Sequence, residues 1–427
     1  MKKMDYQNVK GTQDYLPDAE VVRRDIRRTL EDVFIQYGCK PLETPILNYT
    51  ELLASKYGGG AEILEEMYSL TDRGERDLAL RYDLTIPFAK VIAMNPSIRM
   101  PFKRYEIGKV FRDGPIKKGR FREFTQCDVD IVGVESQIAE AELMMMAIDA
   151  FKKLNLKVTI QYNNRKLLTG MLEFFGVERS LMNRTVLILD KLEKAGLNAV
   201  LAELADVGIS GFTIKLIQDF LSNEHNRSFD YFETYSEKNE QVKEGLAEWK
   251  ELSSYLDYLG ISKQCAFNPF LARGLEIYTG TIYEIFLEDQ SIKSSIGSGG
   301  RYDNAIGGLL GTNESFSTAG ISFGLDVIYT AISSSVKNDA RREPFADYFV
   351  IPLGTFKESL LAASDLRNKG FKVEVEMSNK KLGKLLDKAN RENIPTVIII
   401  GEEEVRNNQY KVKDMATGKE TVEYFEY

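Results

Sequence analysis

Residues 111–133 read FRDGPIKKGRFREFTQCDVDIVG, and this run decides how the rest of the chain is read. An apolar strand, Lys109-Val110-Phe111, ends on Arg112 and is followed by a loop rich in glycine, proline and lysine. A second strand returns from Phe124 to Asp130, and its period of two puts Gln126, Asp128 and Asp130 on one face. The guanidinium would then stand over a floor of acid and amide groups, a geometry suited to holding a phosphate or carboxylate above a polar pocket. Taken alone, the same pattern fits an ordinary solvated β-ribbon equally well.

At 427 residues the chain is too long for one core and suggests two or three domains. Its share of apolar and charged residues is ordinary for a soluble globular enzyme. The first residues carry lysines with no apolar run behind them, so no signal peptide is expected, and no stretch reaches the roughly 20 apolar residues that cross a bilayer. Cys39, Cys127 and Cys265 are far apart and odd in number, which fits reduced thiols in a cytoplasm better than a disulfide framework or a zinc site. A formal charge of −8 argues against indiscriminate nucleic-acid binding but allows a local basic surface. His225 is the single histidine and lies in a polar, loop-like stretch, so an imidazole general base, a catalytic triad and a histidine-rich metal site are all improbable. Chemistry here must rest on arginines, carboxylates and the substrate itself.

Along the chain, apolar residues at three- and four-residue steps predict a helix from about Asp18 to Tyr37, ended by Gly38. A proline-containing strand follows over Lys40–Leu47. Glu66–Asp72 and Leu78–Asp83 read as a hairpin, and helices are expected at about Pro87–Ala93 and Ile138–Leu154, the latter with Met144, Met145 and Met146 as core filling. Antiparallel strands with interposed helices predict an α+β domain. From about Gly176 to Ile261 the texture turns helical and acidic, an insertion that contains the lone Trp249. Ser333–Ala340 reads as a linker. Beyond it strands (Tyr348–Pro352, Lys372–Glu376, Thr396–Ile400) alternate with helices (Lys357–Lys369, Ser378–Asn393), a small α/β domain with a largely parallel sheet. The expected domains are residues 1–332, with the insertion at about 176–261, and residues 342–427.

The run at 111–133 resembles motif 2 of the class II aminoacyl-tRNA synthetases, in its histidyl-tRNA synthetase version. Arg81–Phe88 looks like that family's amino-acid-binding strand, Leu271–Gly280 like its first histidine-specific motif, and Ser298–Asp303 like the second. The likeness extends from Lys10-Gly11-Thr12-Gln13-Asp14 to the C-terminal domain. It implies a class II synthetase-like antiparallel sheet with a helical insertion, followed by an anticodon-binding-like α/β domain. The implied activity is histidine–tRNA ligation: L-histidine is activated with ATP (entering with Mg2+ as a substrate) to histidyl-adenylate, then moved to tRNA(His). A homodimer in the cytoplasm is implied as well, with the helix and strand before Leu47 at the dimer interface, and no protein-bound metal.

On the same resemblance, Arg112 would bridge the histidine carboxylate and the α-phosphate, and Arg273 would reach the α-phosphate from the other side. Asp83, Thr85 and Gln126 would bind the α-amino group. Asp130, Tyr278 and Tyr302 would recognise the ring, and Arg120 with Lys117 and Lys118 would add to ATP binding. Gly297, Gly299 and Gly300 would let backbone approach the substrate closely, or simply make a turn. The sequence departs from the family pattern in three places. Ile277 replaces a tyrosine beside Tyr278. Val327 stands where motif 3 usually has an adenine-stacking arginine, and Asp113-Gly114 replaces the motif 2 glutamate. Val327 and Ile277 lean toward a second reading, a histidine-sensing regulatory subunit of ATP phosphoribosyltransferase. Arg112, Arg273 and the C-terminal domain oppose it. In that domain, Leu382, Leu385, Leu386 and Ala389 form an apolar stripe, opposite a basic ridge of Lys381, Lys384, Lys388 and Arg391.

Overall fold

The computed structural model describes residues 6–55, 64–117, 119–272, 277–312, 314–335, 344–378 and 380–425. It divides into two compact units, Met1–Ser335 and Val336–Tyr427.

The first unit is organised by two long strands, β5 (Phe102–Phe111) and β6 (Glu123–Val132), which form the hairpin expected around Arg112. They pair antiparallel from Phe102 opposite Val132 to Phe111 opposite Glu123. Around them an eight-stranded sheet runs in the order β1-β5-β6-β11-β10-β9-β7-β8. The other strands are β1 (Lys40–Pro41), β7 (Val158–Asn164), β8 (Cys265–Phe267), β9 (Thr281–Leu287), β10 (Gly297–Arg301) and β11 (Thr318–Gly324). Only the two edge pairs, β1–β5 and β7–β8, are parallel. The proline-containing strand is far shorter than the Lys40–Leu47 expected; Pro41 ends it at the sheet edge, where a missing N–H breaks no ladder.

Alternation along β6 sorts its side chains. Cys127, Val129 and Ile131 point to one face, where helix α1 (Pro17–Gln36) supplies Ile26, Leu30, Val33 and Phe34. A later helix, Ile138–Lys153, adds Leu143, Met144, Met146 and Phe151, so the methionine run is core. Phe34 stacks on Phe323 of β11 with ring centroids 5.7 Å apart. With this face sealed, Gln126, Asp128 and Asp130 face the opposite way.

A second, three-stranded sheet (β2, Leu47–Tyr49; β4, Asp77–Leu80; β3, Ser69–Thr71) has β4 at its centre. It contains the expected hairpin in shortened form and a third strand, Leu47–Tyr49, that the sequence did not announce. Arg81 joins it to the large sheet. Its guanidinium donates to Thr44 O at 2.6 Å and Lys109 O at 2.9 Å, and pairs with buried Glu106 at 2.7 Å. Helices at Arg179–Leu189, Leu197–Asp206, Gly211–Ser222, Phe229–Ser236 and Glu240–Tyr258 make up the inserted region. Ser210, Ser228 and Asn239 cap three of them with side-chain oxygens. Trp249 fastens this region to the sheet: its ring stacks 3.5 Å from Phe267 and its Nε1–H donates to Tyr162 Oη at 3.2 Å. His225 is exposed on a short 3₁₀ turn.

In the second unit β13 (Val373–Val375), β12 (Tyr348–Leu353) and β14 (Thr396–Gly401) are parallel, as alternating strands and helices imply. Two antiparallel strands, β15 (Gln409–Asp414) and β16 (Glu420–Tyr424), extend the sheet and were not expected. The basic helix begins at Leu382, not Ser378. Leu385 and Ala389 are buried as expected, but Lys388 is not part of an exposed ridge. Its ammonium pairs with Glu374 at 2.5 Å and lies over the Phe349 ring, leaving Lys381, Lys384 and Arg391 in solvent. Most of the expected linker, residues 336–340, lies outside the described residues; Ser333 and Ser334 are the end of the helix Leu325–Ser335.

Phe34 is fully buried between Tyr105 and Phe323. Phe34→Ala should therefore lower stability by about 3–5 kcal/mol, read as an earlier midpoint in urea unfolding at unchanged slope.

Candidate active site

On the face of the large sheet away from α1 lies a cavity of about 280 Å³. Its floor is β6, β10 and β11, and its rim comes from the turn before helix Thr85–Met94 and from Ile277-Tyr278. Asp83, Thr85, Arg112, Gln126, Asp130, Tyr278 and Tyr302 all line it. Thus seven candidate residues, scattered over 220 positions of sequence, meet in one place. Arg120 does not line it: its guanidinium pairs with Glu66 at 3.3 Å on the hairpin loop, where the backbone of Lys117 and Arg120 closes a small bridge. Arg273 and Lys118 lie outside the described residues.

The floor can approach so closely because it is glycine. A Cβ at Gly320 would stand 2.1 Å from Asp130 Oδ1, and one at Gly299 would stand 2.1 Å from Gly320 O. The glycines of β10 are therefore strand, not turn, and the side chains that come up against Gly299 and Gly300 are Tyr283 and Tyr278. Arg301, next in the strand, is structural: it is bidentate to buried Glu140 at 2.6 and 2.8 Å.

Asp130 is held from two sides. Tyr302 donates its hydroxyl to Oδ1, and the Arg104 guanidinium lies 2.6 Å from Oδ2. Arg104 is fully buried; it also donates to Leu84 O at 3.0 Å, pairs with Glu106 at 3.4 Å and sits over the Phe88 ring. Burial pushes the Asp130 carboxyl above its usual range, while Arg104 and the Tyr302 hydroxyl pull it back. Asp83, whose Oδ1 accepts the Ile86 N–H at the helix start, is raised to about 6 by burial, against the opposing pull of that N–H and of Arg112. Arg112 donates from Nε to Tyr82 O at 2.9 Å, lies over Phe124, and is the single cation among the described lining residues.

Sequence reasoning placed Asp128 on this face but gave it no role, and passed over Arg104, Phe124 and Ser322. Arg104 had a readable signal, an arginine two residues before a glutamate inside an apolar strand. Asp128 is 3% exposed, lines the cavity, and has one oxygen, Oδ1, without a protein partner. Burial pushes its carboxyl up to about 8; Arg104 opposes this, and Asp130 and Asp83 add to it. Among the described residues, no group of three or more His, Cys, Asp or Glu is placed to hold a metal ion.

The floor is thus acidic and acceptor-rich, with an arginine on the wall, on a sheet shared with known proteins. A family model described as histidyl-tRNA synthetase matches residues 11–328, and one described as an anticodon binding domain matches residues 347–425. The chain is 61% identical to Histidine--tRNA ligase 2 of Shouchella clausii, covering 98% of each, and 56% identical to Histidine--tRNA ligase 1 of Bacillus cereus, covering 98% of this chain and 97% of that one. The chain belongs to the histidyl-tRNA synthetase family. The crystal structure of histidyl-tRNA synthetase from Nostoc sp. PCC 7120 superposes with a TM-score of 0.82 at 29% identity, covering 99% of this chain and 97% of that one. An ATP phosphoribosyltransferase regulatory subunit/histidyl-tRNA synthetase from Bacillus halodurans shares the fold at 19% identity (TM-score 0.75, covering 94% and 99%).

Within this family member, two of the three departures, Ile277 and Val327, lie at the cavity. Ile277 is buried in the same small core as Tyr82, Phe88 and Tyr302, and also lines the cavity. Val327 lines the cavity too, and a Cβ at Gly119 would come within 3.2 Å of its Cγ2, so the hairpin loop rests on this side chain.

The raised Asp128 carboxyl has a consequence for stability. A group whose pKa is higher folded than unfolded favours the fold while protonated and loses that contribution as pH climbs through the folded value. Asp128→Asn, which never ionises, should melt progressively higher than the wild type between about pH 4 and pH 8, with the gap levelling off above that range. Thermal melts of the unliganded protein across this range check the sign.

Proposed function

We propose that the chain is a histidine–tRNA ligase, joining L-histidine to tRNA(His) at the expense of ATP. The observation that carries this is 61% identity over the full length of a histidine–tRNA ligase, combined with a cavity whose polarity suits the substrate. An amino acid presents an ammonium and, here, an imidazole N–H, both donors, to an acceptor floor; its carboxylate turns toward Arg112. Activation needs that carboxylate to attack the α-phosphorus in line, with charge building on phosphate oxygens. Fixed cations stabilise such charge without any proton shuttle, which agrees with a chain that has one, exposed, histidine.

Arg112 is proposed to bridge the carboxylate and the α-phosphate, with Arg273 as the second cation. ATP enters with its Mg2+ as substrate, its adenine near Phe124. Asp83, Thr85 and Gln126 take the α-ammonium, and Asp130, Tyr278 and Tyr302 the ring. Arg120, paired with Glu66, contributes by holding the hairpin loop. The second unit (residues 342–427 in this reading) serves tRNA recognition, the first holds the catalytic site and its helical insertion, and the protein works as a homodimer in the cytoplasm. No described helix is long and apolar enough to cross a membrane. The regulatory-subunit reading is not favoured: its structural counterpart shares the fold alone, whereas histidine–tRNA ligases match closely from end to end.

Removing Asp130 outright would take from buried Arg104 the nearer of its two carboxylates, so its role is tested by Asp130→Asn, which keeps the shape and an acceptor. Losing a charged partner for the ring N–H should raise the histidine KM in ATP–pyrophosphate exchange on the order of 10- to 100-fold, with the ATP KM changed far less. Equal effects on both would place Asp130 in the scaffold. Deleting the chain after Ser335 should leave exchange largely in place and severely weaken tRNA charging; undiminished charging would refute the tRNA role of the second unit.

A further inference from the structure

Two acceptors on the cavity floor have no donor. Gln126 and Asp128 are neighbours on one face of β6, and Gln126 Oε1 and Asp128 Oδ1 are both buried without a hydrogen-bond partner. Ser322 of the adjacent strand links the two side chains. Gln126 Nε2–H donates to Ser322 Oγ at 2.7 Å, and the Ser322 hydroxyl hydrogen-bonds Asp128, its cross-strand partner. The relay runs from amide to hydroxyl to carboxylate, and it leaves these two acceptors on the cavity floor unsatisfied. It also fixes which end of the Gln126 amide is which, since a flipped amide would turn its oxygen, an acceptor, toward a hydroxyl whose single proton goes to Asp128.

An unpaired buried acceptor costs about 1–3 kcal/mol, and more when charged. A pair of them beside the Asp83 carboxylate, which is close enough to raise the Asp128 carboxyl further, calls for a ligand group that is cationic and carries several N–H bonds. Water can satisfy either atom singly but brings no charge. The imidazole is a poor match, because a neutral ring has one N–H, and Asp130, held by Arg104 and Tyr302, already offers an acceptor for it. An ammonium, with three N–H bonds and a full charge, answers both acceptors and Asp83 at once.

We infer that Asp128 is a further substrate-binding residue, which with Gln126 receives the α-ammonium of the amino acid opposite Asp83, and that Ser322 is the positioning residue for both. This rests on the reading of the cavity as a histidine site. It adds a second carboxylate to the ammonium subsite, so the protein should depend on the substrate's amino group more than one carboxylate would require. It also explains why a carboxylate that destabilises the empty protein stands on the floor.

The test uses the full-length protein and three ligands: L-histidine, histidinol (amine without carboxylate) and imidazolepropionate (carboxylate without amine). Binding is read by calorimetry, and by the ligand-induced rise in melting temperature at millimolar concentrations for the weaker ligands. Asp128→Asn should weaken L-histidine and histidinol on the order of 10- to 100-fold while leaving imidazolepropionate within about threefold of wild type. Ser322→Ala, which removes the relay but keeps both acceptors, should weaken the same two ligands less and spare the third. If L-histidine binds Asp128→Asn as well as wild type, or if all three ligands weaken together, the assignment is overturned. If the wild type itself does not bind L-histidine, the histidine–tRNA ligase reading fails instead.

Discussion

The structure turns on a line of buried charge. Arg81 pairs with Glu106, Glu106 with Arg104, Arg104 with Asp130, and Asp130 accepts the Tyr302 hydroxyl. These side chains come from four separated segments, and all are nearly inaccessible to solvent. Ions removed from water are tolerable only with full partners, so the line fixes the segments relative to one another: a misplaced strand would strand a charge, and breaking such a pair costs several kcal/mol. The hydrogen bond from Arg104 to Leu84 O carries this constraint to the turn holding Asp83 and Thr85. Asp130 on the floor and the turn carrying Asp83 and Thr85 are thereby held in one frame.

The second constraint is the alternation of β6. Its Cys127, Val129 and Ile131 complete the core under α1, and its Gln126, Asp128 and Asp130 make the site. A one-residue slip would exchange the two sets, burying acids against Phe34 and exposing the core, so packing on the back enforces register on the front. Glycines at 299 and 320 complete the arrangement by letting neighbouring strands come up beneath Asp130. Burial, with Asp130 and Asp83 adding to it, raises the proton affinity of Asp128, so the empty cavity floor costs the fold stability.

The cavity is therefore polar in direction: acids and amide at the floor, Arg112 on the wall. In the proposed reading, that asymmetry would orient a zwitterion before any chemistry begins, with its ammonium down and its carboxylate toward the cation. Orientation combined with fixed positive charge would then serve adenylate formation without an imidazole among the lining residues.

Sequence alone determined the parts governed by local rules. Helix α1 was legible from its apolar spacing, the β5–β6 hairpin from its alternation and its Gly/Pro loop, and the parallel core of the second unit from its strand–helix rhythm. Motif order identified the α+β fold and nominated residues from Asp83 to Tyr302 for one site. Sequence could not say which charges would be neutralised by neighbours far along the chain, because ion pairing is a matter of three-dimensional proximity. Only the tertiary structure decided that Arg120 serves Glu66, that Lys388 turns inward to Glu374, that Arg104 is the counter-ion of Asp130, and that Asp128 is left with a free acceptor. The physical reason is the same in each case. A side chain's periodicity sets the face it occupies, but its charge is assigned by whatever the rest of the chain packs against that face.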